Sequence, residues 1–298
     1  MTATLPRTPD RVAAAVPARA RTSSGILPTA ILLIGAAYCL LPVYWLISAA
    51  TKRPDELFST FSLAPSFNGG FVDNLVGLSQ YAGGAFWQWC LNSLIYAGGG
   101  AVAATAVAAL AGFALAKYEF PGKRLVFGYL LVGVLVPGVI VAIPQYLLLS
   151  QLGLAGTRWS ILLPAMISPF SIYLTRVFTA GAVSDEVIES ARLDGAREFR
   201  LFRSVALPMM APGLITVFLL QFVGIWNNFL LPFIMVTRSD MMPLTVGFYS
   251  MMNQGSDQTN VYSFVIMGCL LAVVPLIALF LFLQRYWRLD LISGSLKG

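Results

Sequence analysis

The chain has 298 residues, 58% of them apolar and 11% charged, with a mean hydropathy of +0.78 and no histidine. Soluble domains carry about 25% charged residues, so this composition places the chain in a membrane and excludes histidine-based catalysis and histidine metal ligands. A net charge of +6 would suit nucleic acid only if it were gathered on one face, and its distribution along the chain says otherwise.

Residues 1–25 are rich in Ala, Pro, Thr and Arg (Arg7, Arg11, Arg19, Arg21), show no apolar period, and read as a disordered basic tail. Ile26–Ala50 is apolar for 25 residues. The apolar core of a secretory signal runs for only about 7–15 residues, so this stretch reads as a retained first span. It opens a single transmembrane domain over 26–298. Five more spans are expected at 92–116, 125–150, 159–177, 212–236 and 262–283. Each is near the roughly 20 residues that cross a 30 Å hydrocarbon core. The three cysteines, Cys39, Cys90 and Cys269, are scattered along apolar runs and read as packing residues rather than a disulfide framework.

Within this frame several stretches carry two readings. Trp87 and Trp89 close the first long connection, where tryptophans anchor at the interface or stack on sugar. Gly100, Ala104, Ala108, Gly112 and Ala116 recur every four residues, a stripe for close helix packing or a pore-lining face. Pro137, Pro144, Pro164 and Pro169 each remove a backbone donor and kink or break a span. In the fifth span Gln221 and the run Trp226-Asn227-Asn228-Phe229-Leu230-Leu231-Pro232 place amides among apolar neighbours. Buried amides are costly unless bonded, so these join helices or face a solute path.

Between spans four and five, residues 184–208 are dense in charge. Glu189-Ser190-Ala191 is followed after three residues by Gly195, and after nine more by Val205-Ala206-Leu207-Pro208. The spacing predicts a short helix stopped at a glycine free to take positive φ, then a second helix running into a proline and the next span. An amphipathic helix on the membrane surface is the other reading, with Phe199, Phe202 and Ala206 on one face and Arg197, Arg200 and Arg203 around it.

Lysine and arginine decide the orientation. Fifteen of the nineteen lie in the N-terminal tail, the 117–124 turn, the 176–203 connection and the C-terminal tail; Lys52, Arg53, Arg158 and Arg238 lie in the alternate connections. The positive-inside bias therefore puts both termini and the Glu189 loop in the cytoplasm.

The pattern E-S-A, three residues, G, nine residues, V-A-L-P resembles the EAA loop of ABC-importer permease subunits, with Ser190 and Val205 as the two departures. Further stretches are similar to the carbohydrate-uptake branch, in particular the second permease of maltose-type transporters. They are Ala50 to Phe58 after span one, Asn92-Ser93-Leu94, Ala114 to Arg124, Asp194-Gly195-Ala196, Trp226-Asn227-Asn228-Phe229, and Gly294 to Gly298. The resemblance implies an all-α polytopic membrane protein of the ABC type I importer permease fold, with six transmembrane helices and a cytoplasmic coupling helix between spans 4 and 5.

It further implies a transport subunit, not an enzyme, in a bacterial or archaeal plasma membrane. Its partners would be a second six-span permease, two copies of a cytoplasmic ATPase, an extracytoplasmic solute-binding protein, a sugar and the lipid bilayer, with no nucleic acid. No G-x-x-x-x-G-K-[ST] phosphate cradle is present, so ATP and Mg would belong to the ATPase subunit. Glu189, Ser190, Ala191, Asp194, Gly195, Ala196, Leu207 and Pro208 are the expected ATPase-coupling residues. Gln221, Trp226, Asn227 and Asn228 are the expected substrate path, and Lys297 an ATPase contact. An importer of amino acids, peptides or phosphate, and an ion-coupled transporter, are the competing readings. The second fits poorly with a chain whose every Asp and Glu falls outside the predicted spans.

Overall fold

The computed structural model describes residues 25–254 and 258–295, with side chains over 25–253 and 260–286. The expected basic tail, apart from Gly25, and Lys297 lie outside the described residues. The described residues are helical with no strand: α1 Ile26–Ala50, α2 Glu56–Ser59, α3 Gly70–Gln80, α4 Ala85–Lys117, α5 Lys123–Leu135, α6 Gly138–Gln151, α7 Trp159–Met166, α8 Pro169–Ala182, α9 Asp185–Leu193, α10 Glu198–Leu201, α11 Leu207–Trp226, α12 Leu230–Met235, α13 Leu244–Gln254 and α14 Gln258–Ser295. A π-helical turn, Phe202–Ala206, joins α10 to α11. By contacts the chain divides at Tyr44 and Trp45. The first unit contributes the apolar body of α1, and the second runs from Trp45 onward.

Five helical stretches are long and apolar enough to cross a membrane: Ile26–Ala50, Ala85–Lys117, Trp159–Ala182, Glu198–Trp226 and Asn260–Tyr286. The pair Lys123–Leu135 and Gly138–Gln151, bent by 106°, makes a sixth crossing when taken together. The span expected over 125–150 is thus broken in two at Pro137, one of the prolines expected to kink or break a span. Pro137 has no amide hydrogen and disfavours helical geometry at Val136, which turns out to φ −70, ψ 122. The fourth span is interrupted as well, at Ile167 and Ser168, both extended, just before Pro169. The fifth is displaced relative to 212–236: α11 starts at Leu207, ends at Trp226, and resumes as α12 after Asn227–Phe229.

α4 is the central helix. Its 33 residues measure about 50 Å at 1.5 Å per residue, and it starts seven residues before the predicted Asn92. Its small-residue stripe packs other helices. A Cβ on Gly112 would stand 2.8 Å from Thr175 Cβ and 2.9 Å from the Arg176 amide nitrogen, so α8 can lie against α4 only because that atom is missing. Gly100, Ala104 and Ala108 are buried along the same face.

The early start of α4 also revises the tryptophan reading. Trp87 remains exposed at 53%, but Trp89 is 3% exposed and donates its indole N–H to the Ser239 carbonyl at 3.1 Å. Three more α4 side chains hold the same loop through its backbone. Asn92 Nδ2 donates to the Asp240 and Met242 carbonyls at 2.9 and 3.0 Å, Tyr96 OH to Met241 at 2.8 Å, and Ser93 Oγ accepts from the Leu244 amide at 2.8 Å. The spacing Trp89, Asn92, Ser93, Tyr96 puts all four on one helix face. This face pins the connection between α12 and α13 to the far end of α4.

Candidate functional site: a polar hairpin and a cavity between broken helices

At the other end of α4 the chain builds a compact hairpin. α9 begins with Asp185 and Glu186 and ends with Arg192, each charge matched to the helix dipole. Gly195 takes φ +80, the Ala196 amide bonds the Ala191 carbonyl at 3.0 Å, and the Gly195 amide bonds that of Arg192 at 3.0 Å. These two bonds make a Schellman stop, which satisfies the last carbonyls of α9 and requires the left-handed residue that glycine supplies without strain. The chain then reverses into α10. The underside of the hairpin is apolar, with Ile188, Leu201, Ala206 and Met210 buried against Phe113 and Val183.

Polar contacts fix the hairpin to α4. Tyr118, the residue after α4, donates its hydroxyl to Glu198 Oε2, and Arg192 holds the same carboxylate through Nε and Nη2 at 3.2 and 3.4 Å. The Arg192 guanidinium lies 5.9 Å over the Tyr118 ring, and Lys117 Nζ pairs with Asp185 at 2.7 Å. Burial, reinforced by the Glu198 hydrogen bond, pushes the Tyr118 hydroxyl up to about 12. The hydrogen bonds from Tyr118 and Arg192 hold the Glu198 carboxyl below the usual carboxylate range.

The outer surface of the hairpin is left open. Leu193 is 89% and Phe199 72% exposed, and the Glu189 and Asp194 side chains have no hydrogen-bond or ion-pair partner among the described residues. Ser190 is exposed and bonds back to the Glu186 carbonyl at 2.8 Å. Ala191 and Ala196 pack partly against the apolar underside. Leu207 is half-buried and Pro208 exposed in the first turn of α11, beyond the π turn. The eight expected coupling residues thus divide between the hairpin's exposed tip, its glycine stop and the start of α11.

The expected substrate-path residues are separated by the structure. Trp226 is 5% exposed and stacks on Phe222 at 5.7 Å within the helical core. Asn227 is exposed and bonds back to the Val223 carbonyl at 2.9 Å. Gln221 and Asn228, by contrast, line one cavity of about 500 Å³. Its walls come from the ends of broken helices: Gly138 at the start of α6, Ile167 and Ser168 between α7 and α8, and Asn228 between α11 and α12. Gln221 Nε2 donates to Ser168 Oγ at 3.2 Å across the cavity wall. Gln145 of α6 also lines it and was not singled out from the sequence, because a lone amide in an apolar run carries no periodic signal.

Comparison with known proteins bears on this arrangement. The family described as "Binding-protein-dependent transport system inner membrane component" matches residues 100–289. The chain is 30% identical over 275 residues to the arabinooligosaccharides transport system permease protein AraQ of Halalkalibacterium halodurans, covering 90% of this chain and 96% of that one. It is 28% identical to the diacetylchitobiose uptake system permease protein NgcG of Streptomyces coelicolor, covering 90% of this chain and 89% of that one. It is also 28% identical to the sn-glycerol-3-phosphate transport system permease protein UgpE of Salmonella typhi, covering 89% and 94%. The fold is similar to a chain in the crystal structure of a bacterial ABC transporter involved in the import of the acidic polysaccharide alginate, with a TM-score of 0.77 at 22% identity over 88% of this chain and 95% of that one.

Proposed function

The chain belongs to the family of binding-protein-dependent transport system inner membrane components, and from that membership we propose that it is the permease half of an ATP-driven carbohydrate importer, moved through its hairpin by a separate ATPase. The observation that carries this reading is the exposed tip of the hairpin. Leu193 and Phe199 offer apolar knobs, and Glu189 and Asp194 offer carboxylates without intrachain partners, on an element whose other side is fastened to α4. A tip of this kind suits a groove lined by apolar and basic groups.

In this reading the hairpin faces the cytoplasm, as the lysine and arginine bias requires. Two ATPase subunits bind ATP and Mg, a second six-span permease closes the other half of the path, and an extracytoplasmic binding protein delivers the solute. The relatives named for arabinooligosaccharides and diacetylchitobiose favour a carbohydrate. ATP shifts the assembly between inward-open and outward-open states only through unequal affinity for the two, and the loaded binding protein must favour the same state.

Glu189 pairs with a basic residue of the ATPase groove in this scheme. Truncating one partner of a desolvated charge pair costs about 2–5 kcal/mol, enough to disconnect the motor. In the complex purified through a tag on this chain, Glu189→Ala and Gly195→Asp are expected to insert normally yet lose sugar-stimulated ATP hydrolysis. Full stimulation in both variants would remove the coupling role.

A further inference from the structure

We propose that the cavity under the connection after the first span binds the headgroup of an anionic phospholipid, with Lys52 as the cation that attracts its phosphate. This requires only that the chain spans a membrane, and it is independent of the importer reading.

Lys52 is 1% exposed, and its Nζ donates to the Phe61 carbonyl at 2.7 Å. An ammonium has three N–H donors, and this one makes no ion pair among the described residues. The charges next to it in sequence are engaged elsewhere or face water. Arg53 pairs with Asp73 at 3.3 Å, Glu56 accepts from Asn68 Nδ2 at 2.6 Å and from the Arg53 amide at 3.2 Å, and Asp55 is exposed.

The chain itself buries the lysine. Asn74 Nδ2 donates to the Ala50 and Lys52 carbonyls at 3.1 and 2.8 Å, Thr51 Oγ1 accepts from the Ser66 amide at 2.9 Å, and Ser48 Oγ donates to the Ser62 carbonyl at 3.3 Å. Residues 51–74 are thereby folded over the end of α1. A helix C-terminus favours a cation, so α1 and the Phe61 carbonyl compensate part of the charge. A buried ammonium remains costly until an anion pairs with it.

Beside Lys52 lies a cavity of about 510 Å³, within the roughly 300–1,000 Å³ of small-molecule sites. Lys52, Ser62 and Ile266 form part of its wall, Trp45, Phe58 and Tyr262 its aromatic rim, and no carboxylate is among the described residues that line it. Phe58 meets Tyr262 edge-on, with ring centres 6.0 Å apart. Trp45 belongs to the last two turns of α1 and Tyr262 to the first turn of the apolar stretch Asn260–Tyr286. The cavity thus opens where two spans leave the hydrocarbon, at the depth of lipid headgroups and of tryptophan and tyrosine belts.

Opposite charges attract more strongly as their surround becomes less polar. The phosphate of phosphatidylglycerol brings the missing negative charge, whereas that of phosphatidylcholine carries its own cation beside it. Inorganic phosphate meets the same lysine but has no apolar part to cover the rest of the wall.

The test is native mass spectrometry of the complex purified through a tag on this chain and titrated with phosphatidylglycerol or phosphatidylcholine. Wild type is compared with Lys52→Met, which removes the charge at similar length, and with Ser62→Glu. Ser62 is exposed on the cavity wall, so a carboxylate there supplies an internal partner while Lys52 stays in place; this variant decides the matter if Lys52→Met fails to fold. For each copy of this chain, wild type is expected to retain one phosphatidylglycerol that either variant holds about fivefold more weakly, the scale of one lysine facing anionic lipid. Phosphatidylcholine binding should be the same in all three, and inorganic phosphate should not displace the retained lipid. Equal phosphatidylglycerol binding in wild type and a folded variant, equal retention of both lipids by wild type, or displacement by inorganic phosphate overturns the proposal. So does cross-linking of Phe58→Cys to another polypeptide in native membranes, which would put protein over the cavity in place of lipid.

Discussion

The Tyr118 phenol donates a hydrogen bond to the carboxylate of Glu198, eighty residues away in sequence, and through it the last turn of α4 is tied to the returning arm of the hairpin. Arg192 closes the triangle from the outgoing arm, and Lys117–Asp185 adds a second tie where α9 begins. α4 packs along α7, α8 and α11, so these ties fasten the hairpin to the helix at the centre of the packing.

Tyr118→Phe and Glu198→Gln each remove one side of that hydrogen bond while keeping shape. A hydrogen bond to a charged group is worth about 1.5–3 kcal/mol when buried, and the exposure of Glu198 reduces this to about 1 kcal/mol. Hydrogen exchange over residues 185–206 is expected to rise several-fold in either variant, and the double variant should add little to the larger single effect. Additive effects would mean that the two side chains do not act through each other.

The same contact sets a pH window. The Glu198 carboxyl is held below its ordinary 4.5, so its contribution is present above that value and lost as pH falls through the lowered one. The Tyr118 hydroxyl is raised from 10 to about 12, so the protonated donor persists through neutral pH and is lost only as pH rises toward 12. Phenolate absorbance of the wild type minus that of Tyr118→Phe should therefore show one tyrosine titrating near 12. Because burial is the larger cause, Glu198→Ala should lower that midpoint while leaving it above 10.

The parts of this architecture that are local in sequence are legible there, and those that depend on distant partners are not. Apolar runs mark the spans because crossing a bilayer demands them, and the E-S-A to L-P spacing marks the hairpin because a glycine stop must follow one short helix. Prolines 137 and 169 announce a disturbance, but a proline can either kink or end a helix, and a bend of 106° needs neighbours that sequence does not display. Trp226 and Asn228 look equivalent in a linear reading. The end of α11 between them turns one into the core and the other toward the cavity. Asn92 reads as a helix opener, yet its partners lie 148 and 150 residues away.

That long-range contact yields a prediction at the opposite end of α4. Asn92 is fully buried, and its amide is the hydrogen-bond donor for two loop carbonyls. Asn92→Ala leaves both acceptors without it at a cost of about 1–3 kcal/mol each if water stays out. Amide exchange and protease cleavage between residues 237 and 244 are expected to increase sharply, with the hairpin at 185–206 unaffected. Asn92→Asp, which keeps size but offers the carbonyls no N–H, should resemble the alanine variant. Equal protection in both variants would mean that Trp89, Ser93 and Tyr96 hold the loop by themselves.

At Gly195 the backbone decides the outcome, since no heavy atom lies within 4 Å of where a Cβ would stand. Any loss on substitution therefore comes from φ +80 rather than from a clash. A side chain in left-handed geometry costs roughly 1–2 kcal/mol, and asparagine tolerates it better than alanine. Gly195→Ala should thus loosen the Ala191–Ala196 closure and reduce coupled ATP hydrolysis, while Gly195→Asn retains more of both. A β-branched residue at this position, Gly195→Val, should be worse than alanine although the space around it is open. If all three variants behaved alike, the requirement would lie in contact with a partner surface and not in the conformation of the turn.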